Sequence, residues 1–194
     1  MKKFYGLKKL KTAVFISGKG SNLKNLIRFS HLKKSPITIN LVISSNSKAK
    51  GLNHAKEHNI KSKVFTLTKK SKDEQNIISL LKKNDIKLIC LAGFMKILSS
   101  NFIKKFSGKI LNIHPSLLPK YKGLNTHQRV IQKKEKFSGC TVHFVNSKLD
   151  SGKIILQKKV RVIKTDTPRK LAKKVLKIEH VLYPEAIMTL FSNL

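Results

Sequence analysis

Asn112 and His114 stand one residue apart in the stretch Leu111-Asn112-Ile113-His114-Pro115-Ser116-Leu117-Leu118-Pro119-Lys120-Tyr121, just after the short run Lys109 to Leu111. In an extended strand, positions i and i+2 point to the same face, so an amide and an imidazole would project together at the strand's end. Pro115 forbids a helix behind His114, and Pro119 stiffens the exit. A hydrogen-bond donor beside a titratable base, on a stiffened backbone, is the pairing expected of a catalytic site.

Three other segments carry residue types suited to chemistry. Ser17-Gly18-Lys19-Gly20-Ser21-Asn22 is a small-residue loop, where backbone N–H groups can approach an anion at a helix N-terminus. It lacks the third glycine of the dinucleotide fingerprint and the Gly-Lys-Ser/Thr of a P-loop. It reads equally as a phosphate site or as a tight turn with Ser21 as helix cap. In Gly93-Phe94-Met95-Lys96-Ile97-Leu98, Gly93 permits close approach, and Met95, Ile97 and Leu98 could line an apolar slot or simply join the core. Asp150 opens the turn Asp150-Ser151-Gly152, where its plain role is an Asx turn, and spacing alone does not pair it with His114. His54 and His58 have helical metal spacing but no cysteine or acidic partner set, and read as structural.

Short β-branched runs alternate with lysine-rich amphipathic segments, the pattern of an α/β fold. Strands are expected at Thr12 to Ile16, Ile37 to Ser44, Lys63 to Leu67, Lys87 to Leu91 and Ile110 to Ile113. Helices are expected from Leu23 to Phe29, Ala49 to His58 and Asp73 to Lys83, with a loop and short helix over Gly123 to Lys133. Cys140 to Val145 alternates as a strand, turns tightly through Asp150-Ser151-Gly152 and returns as Lys153 to Val162, an antiparallel pair. Thr167 opens a last helix with Pro168 in its first position, and a break is expected near Pro184. The expectation is one α/β domain over 12–194, with helices flanking a central, mostly parallel sheet that has a late antiparallel portion. Residues 1–11 read as a basic N-terminal arm.

The chain has 194 residues, long enough for a substantial core. Its 40% hydrophobic content is slightly low but does not indicate disorder. The two cysteines, Cys90 and Cys140, have no metal-ligand spacing, and Cys90 sits in an apolar run. A reducing compartment and a cytoplasmic location are the default. No apolar run is long enough to cross a bilayer, and Ala13 to Ile16 is too short for a signal-peptide core. Lys and Arg total 42 against 9 acidic residues, a formal net charge of +33. That excess could serve nucleic acid or an anionic membrane. It is almost all lysine, though, spread along the chain rather than gathered in a stripe. Drift in composition accounts for it, with steering of anionic substrates as a side effect.

Taken in order, Ile16 to Leu23, Leu91 to Ser99, Leu111 to Tyr121, Gly139 to Gly152, Glu179-His180 and Tyr183-Pro184 resemble phosphoribosylglycinamide formyltransferase, a folate-dependent family of purine synthesis. The resemblance covers nearly the whole chain from Thr12 onward. It implies formyl transfer from 10-formyltetrahydrofolate to the amine of glycinamide ribonucleotide, with folate as a co-substrate, no tightly bound cofactor and no metal. The family's catalytic trio falls on Asn112, His114 and Asp150. Its nucleotide site falls on Gly20, Ser21, Asn22, Gly93, Met95 and Glu179. Its folate site falls on Lys70, Met95, Lys96, Ile97, Leu98 and Asn112. The partners implied are these small molecules, with no specific nucleic acid and no membrane, in a monomer or homodimer.

Several positions depart from the family's pattern. Lys19 replaces a small or polar residue, Ser147 and Ser151 alter the segment around Asp150, and Leu176 stands where a glutamine can contact the nucleotide. The arginine expected near the folate's glutamate tail has only lysines as counterparts, around Lys70 or Lys72. Three alternatives stand beside this reading. Methionyl-tRNA formyltransferase would make the positive charge functional, but it carries a second RNA-binding domain for which 194 residues leave no room. A related formyltetrahydrofolate hydrolase would need an extra N-terminal domain that residues 1–11 cannot supply. A non-enzymatic basic binding module rests on charge alone and predicts steeply salt-dependent nucleic-acid binding.

Overall fold

Continuous apolar runs form strands that can be buried on both faces, and the first half of the chain is built from them. A computed structural model describes residues 9–192. Strand β1 (Leu10–Ile16), whose residues from Ala13 to Ile16 are fully buried, pairs in parallel with β2 (Ile37–Ser44) and with β4 (Leu88–Leu91). The latter part of the basic arm is therefore strand: Leu10 and Lys11 pair with Ile37 and Thr38, whereas residues 1–8 lie outside those described. Helices α1 (Ser21–His31), α2 (Gly51–Glu57) and α3 (Lys70–Lys83) connect the strands of this half, and α4 (Ser100–Lys105) follows β4.

β3 (Lys61–Val64) lies two residues earlier than expected, because its pairing with β2, Leu41 opposite Lys61 through Ser44 opposite Val64, sets the register. It is a fully exposed edge strand rich in lysine, so it has no apolar face to announce it. Helix α4 was not expected at all. Its six residues bury only Phe102, too few for a periodic pattern, and its cap is Ser99, whose hydroxyl accepts from the Phe102 N–H at 3.0 Å.

The second half contains β5 (Lys109–His114), α5 (Thr126–Gln132), β6 (Phe137–Phe144), β7 (Ile154–Arg161) and α6 (Pro168–Ser192). β6 runs antiparallel to both β5 and β7, as expected for the late part of the sheet. The seven strands form one sheet in the order β3-β2-β1-β4-β5-β6-β7, in a single α/β domain flanked by helices. Contacts cluster within residues up to Ile110 and within those from Leu111 onward. The β6–β7 connection is longer than a tight hairpin turn: Phe144 N–H closes it on the Lys153 carbonyl at 2.9 Å, leaving Val145 to Gly152 to fold on themselves.

Helix α6 begins as the sequence indicates, with the Lys170 N–H donating to the Thr167 hydroxyl at 3.2 Å. It does not break at Pro184, which lies inside the helix. Leu182, Tyr183, Ala186 and Ile187 on either side of the proline are buried, and the Tyr183 hydroxyl donates to the Leu111 carbonyl at 3.3 Å. That burial outweighs the one hydrogen bond the proline cannot make.

Just before α6, the buried Asp166 carboxylate accepts from Lys174 Nζ at 2.6 Å and from the Ile163 N–H at 3.0 Å. The Lys174 hydrogen bond, then the Ile163 N–H, holds this carboxyl below its ordinary 3.8. The folded state thus keeps the carboxylate charged where the unfolded chain would take up a proton. Its stabilisation is complete above pH 3.8 and is lost as pH falls through the lower folded value. Asp166→Asn is expected to cost about 1–2 kcal/mol at pH 7. Urea titrations repeated at acid pH should show the difference from wild type shrinking.

Candidate active site

The β5–β6 register places Asn112 directly opposite His143 and His114 opposite Thr141. Asn112 and His114 therefore share a face, as their spacing predicts, and a second histidine joins the amide from the neighbouring strand. The turn behind His114 is fixed by buried polar groups. Thr141 Oγ1 donates to the Ser116 carbonyl at 2.6 Å and accepts from the Leu118 N–H at 3.1 Å. Gln157 Nε2 donates to the Leu118 carbonyl at 2.7 Å and to Thr141 Oγ1 at 2.9 Å. The Leu118–Pro119 peptide is cis.

His114 and Asp150 form a pair, with Nδ1 3.4 Å from Oδ2 and both side chains more than nine-tenths buried. The other ring nitrogen, Nε2, lies 2.9 Å from the Tyr121 carbonyl. A carbonyl only accepts, so Nε2 must carry a proton, and Nδ1 is left as the nitrogen whose protonation can change. Asp150 Oδ2 also accepts from the Gly123 N–H at 2.8 Å. Its Oδ1 faces Asn112 Nδ2 at 3.5 Å and His143 Nε2 at 3.8 Å. One carboxylate thus faces Asn112, both histidines and the Gly123 N–H.

His143 holds Asn112 in turn. Its Nδ1 donates to the Phe144 carbonyl at 2.8 Å, and Asn112 Nδ2 approaches Nε2 at 3.3 Å. Burial, partly offset by the Phe144 carbonyl and by Asp150, pushes the His143 pKa down, favouring the neutral ring. A neutral ring with its proton on Nδ1 offers Nε2 as an acceptor. One amide N–H of Asn112 is then committed to His143, and the other makes only the long contact to Asp150, so it is free to turn to a better acceptor.

Asp150 reaches this position through left-handed backbone, φ 44°. Aspartate tolerates that region better than most residues. At Gly152 a Cβ would stand 1.6 Å from the Phe144 carbonyl oxygen, so only glycine lets the chain return to β7 there.

In the first half of the chain, Gly20 adopts φ 73° and a Cβ on it would lie 2.6 Å from Gly51 Cα. Gly20, not Ser21, is the residue that caps α1, and no side chain makes a capping bond there. The glycine loop and the segment after β4 are tied together by Ser17. Its hydroxyl accepts from the Met95 N–H at 2.8 Å and lies 2.6 Å from the Ser45 hydroxyl, while its N–H donates to the Gly93 carbonyl at 3.2 Å. Met95 and Ile97 are 65% and 63% exposed, Lys96 is exposed, and Leu98 is buried. Lys70 opens α3 and lines a cleft of about 370 Å³ with Glu74, Gln75, Ser99, Phe102 and Lys105. There the buried Glu74 carboxylate accepts from both the N–H and the hydroxyl of Ser99, anchoring the end of the 93–98 segment.

Glu179 is buried on α6. Burial first, with Glu179 adding to it, pushes the Cys140 thiol up to about 12, so that sulfur is no nucleophile. Among the described residues no group of three or more His, Cys, Asp or Glu is placed to hold a metal ion, and no helix is long and apolar enough to cross a membrane. Sequence reasoning missed His143, the Tyr121 carbonyl and Ser17. His143 lies 31 residues from Asn112, so only the strand register reveals it. The other two act through backbone atoms or through a serine that looks like part of a turn.

An amide beside a buried imidazole–carboxylate pair supplies a hydrogen-bond donor and a proton acceptor within one cluster. The chain belongs to the formyl transferase family, whose model matches residues 10–187. The phosphoribosylglycinamide formyltransferase of Haemophilus influenzae is 43% identical over 180 residues, 91% of this chain and 85% of that protein. The human trifunctional purine biosynthetic protein adenosine-3 is 42% identical over 189 residues, which are 96% of this chain but 19% of that protein. The chain thus spans about one fifth of such trifunctional relatives. The crystal structure of phosphoribosylglycinamide formyltransferase from Brucella melitensis superposes with a TM-score of 0.88 at 43% identity, covering 95% of this chain and 96% of that one.

Proposed function

We propose that this protein transfers the formyl group of 10-formyltetrahydrofolate to the amine of N1-(5-phosphoribosyl)glycinamide, a step of purine synthesis. The observation that carries the reading is the His114–Asp150 pair beside Asn112, on a chain of this family. Attack of a neutral amine on the formyl carbon makes a C–N bond and a tetrahedral intermediate with an oxyanion and a charged nitrogen. The Asn112 N–H not bound to His143 donates to that oxyanion, as does His114 protonated at Nδ1. The Asp150 carboxylate, beside His114 Nδ1, takes the amine's proton, directly or through water, for delivery to the departing folate nitrogen. The C–N bond to folate then breaks, releasing tetrahydrofolate and the formylated product.

In the same reading the nucleotide's phosphate sits on the backbone of Gly20, Ser21 and Asn22, where glycine allows close approach. Gly93, Met95 and Glu179 complete the nucleotide site. Exposed Met95, Lys96 and Ile97, with Leu98 and Asn112, contact the folate, and Lys70 meets the anionic glutamate tail. Folate is consumed rather than retained, no metal is used, and the reaction is placed in the cytoplasm.

The deciding experiment offers the purified protein 10-formyltetrahydrofolate with three acceptors: glycinamide ribonucleotide, methionyl-tRNA and water. Release of tetrahydrofolate should depend on the ribonucleotide. Transfer to methionyl-tRNA, hydrolysis without an acceptor, or no reaction at any substrate concentration would each replace this reading.

A further inference from the structure

Both members of the His114–Asp150 pair are held by one short strap of chain. Tyr121 supplies the carbonyl for His114 Nε2, and two residues later Gly123 supplies the N–H for Asp150 Oδ2. The strap is an awkward piece of backbone. Tyr121, Gly123 and Asn125 all lie in the left-handed region, at φ 58°, 78° and 57°, and two of them are not glycine. A segment of this kind relaxes unless its surroundings hold it.

What holds it comes from α5 and the residues just after it. Arg129 Nη1 donates to the Lys122 carbonyl at 2.6 Å and to the Leu124 carbonyl at 3.4 Å, so it grips the strap on both sides of Gly123. Its guanidinium lies 5.3 Å from the centre of the Tyr121 ring. Glu135 accepts from the Tyr121 hydroxyl at 2.8 Å and from Lys120 Nζ at 3.2 Å. At the near end, the Ser116 hydroxyl donates to the Lys120 carbonyl at 2.7 Å. The buried Val130 seats α5, and the Glu135 N–H donates back to the Val130 carbonyl, so both grips start from a fixed base. Neither Arg129 nor Glu135 touches His114, Asp150 or Asn112 through any of these bonds.

We propose that Arg129 and Glu135 are positioning residues: by clamping the 120–124 strap they set which nitrogen of His114 is protonated and where Asp150 aims. The idea rests on the formyl-transfer reading for its kinetic effect but not for its structural one. With the Tyr121 carbonyl in place, Nε2–H is enforced and Nδ1 is left for chemistry. With the strap loose, the ring can place its proton on either nitrogen, and a share of the molecules presents the wrong one.

The test reads the His114 ring by ¹⁵N–¹H correlation in the ligand-free protein, beside steady-state kinetics. Wild type should show a single form with Nε2 protonated. Arg129→Met and Glu135→Ala should move the ring nitrogens towards the averaged shifts of a tautomer mixture. They should also lower kcat about tenfold with KM nearly unchanged, as expected for misaligned catalytic groups. Glu135→Gln, which still accepts from the Tyr121 hydroxyl, should stay close to wild type in both. If Arg129→Met or Glu135→Ala does not fold, Tyr121→Phe, which removes one hydroxyl only, is read in its place. Folded variants whose His114 signals match wild type overturn the proposal. Absence of formyl transfer by the wild type would instead sink the functional reading, while the spectrum still decides the strap.

Discussion

His114→Ala is expected to lower kcat by about a thousandfold while leaving KM for both substrates within a few-fold, because a positioned donor and acid contributes on that scale only as charge develops. The imidazole is buried against Asp150, with Nε2 spent on the Tyr121 carbonyl, so it has one nitrogen to give to the reaction. Alanine removes that nitrogen and leaves the turn behind it intact, since Ser116, Leu118, Thr141 and Gln157 hold each other without His114 side-chain contacts. Circular dichroism should confirm the fold, and formyl transfer measured at saturating substrates gives the ratio. A kcat within fivefold of wild type would remove His114 from the mechanism.

Asp150→Asn should cost a similar factor, about a hundred- to a thousandfold in kcat, by a different route. The amide oxygen can still accept from the Gly123 N–H, and the side chain keeps its size, so the loop retains that anchor. What disappears is the negative charge 3.4 Å from His114 Nδ1 and the acceptor for the amine's proton. Asparagine cannot take up that proton, whereas water can do so only less efficiently. The variant should therefore bind both ligands with affinities near wild type, measured by calorimetry, and yet turn over slowly. Strong loss of binding instead would mean that Asp150 is a structural support.

The parts of this site legible in the sequence are those whose geometry is local. Asn112 and His114 share a face because strands alternate, and Thr167 with Pro168 marks a helix start because both act within one turn. Parallel strands in the first half show as apolar runs such as Ala13 to Ile16. The remainder depends on distant pairing. Nothing near Asn112 names His143, and Asp150 finds His114 only once β5, β6 and the loop after them are assembled. Pro184 reads as a helix breaker on any local rule, yet packing of Leu182, Tyr183, Ala186 and Ile187 carries α6 through it. The bounds of the exposed β3, expected at Lys63 to Leu67, and the existence of the short α4 were hidden for the opposite reason: too little of either is buried to leave a sharp hydrophobic pattern. For the proposed catalytic trio and the proposed ligand contacts, the family resemblance supplied what spacing could not.

The glycine that meets the Phe144 carbonyl also sets a rule of chain length. From Asp150 to Lys153 the backbone has no slack: Gly152 cannot carry a side chain, and Lys153 is already bonded to Phe144. Lys148 and Leu149, on the other side of Asp150, are exposed. An extra residue after Lys148 should therefore be absorbed as a longer loop, with folding and turnover near wild type. The same residue inserted after Asp150 should carry the carboxylate out of reach of His114. Natural or engineered variation in this connection is open on one side of the aspartate and closed on the other.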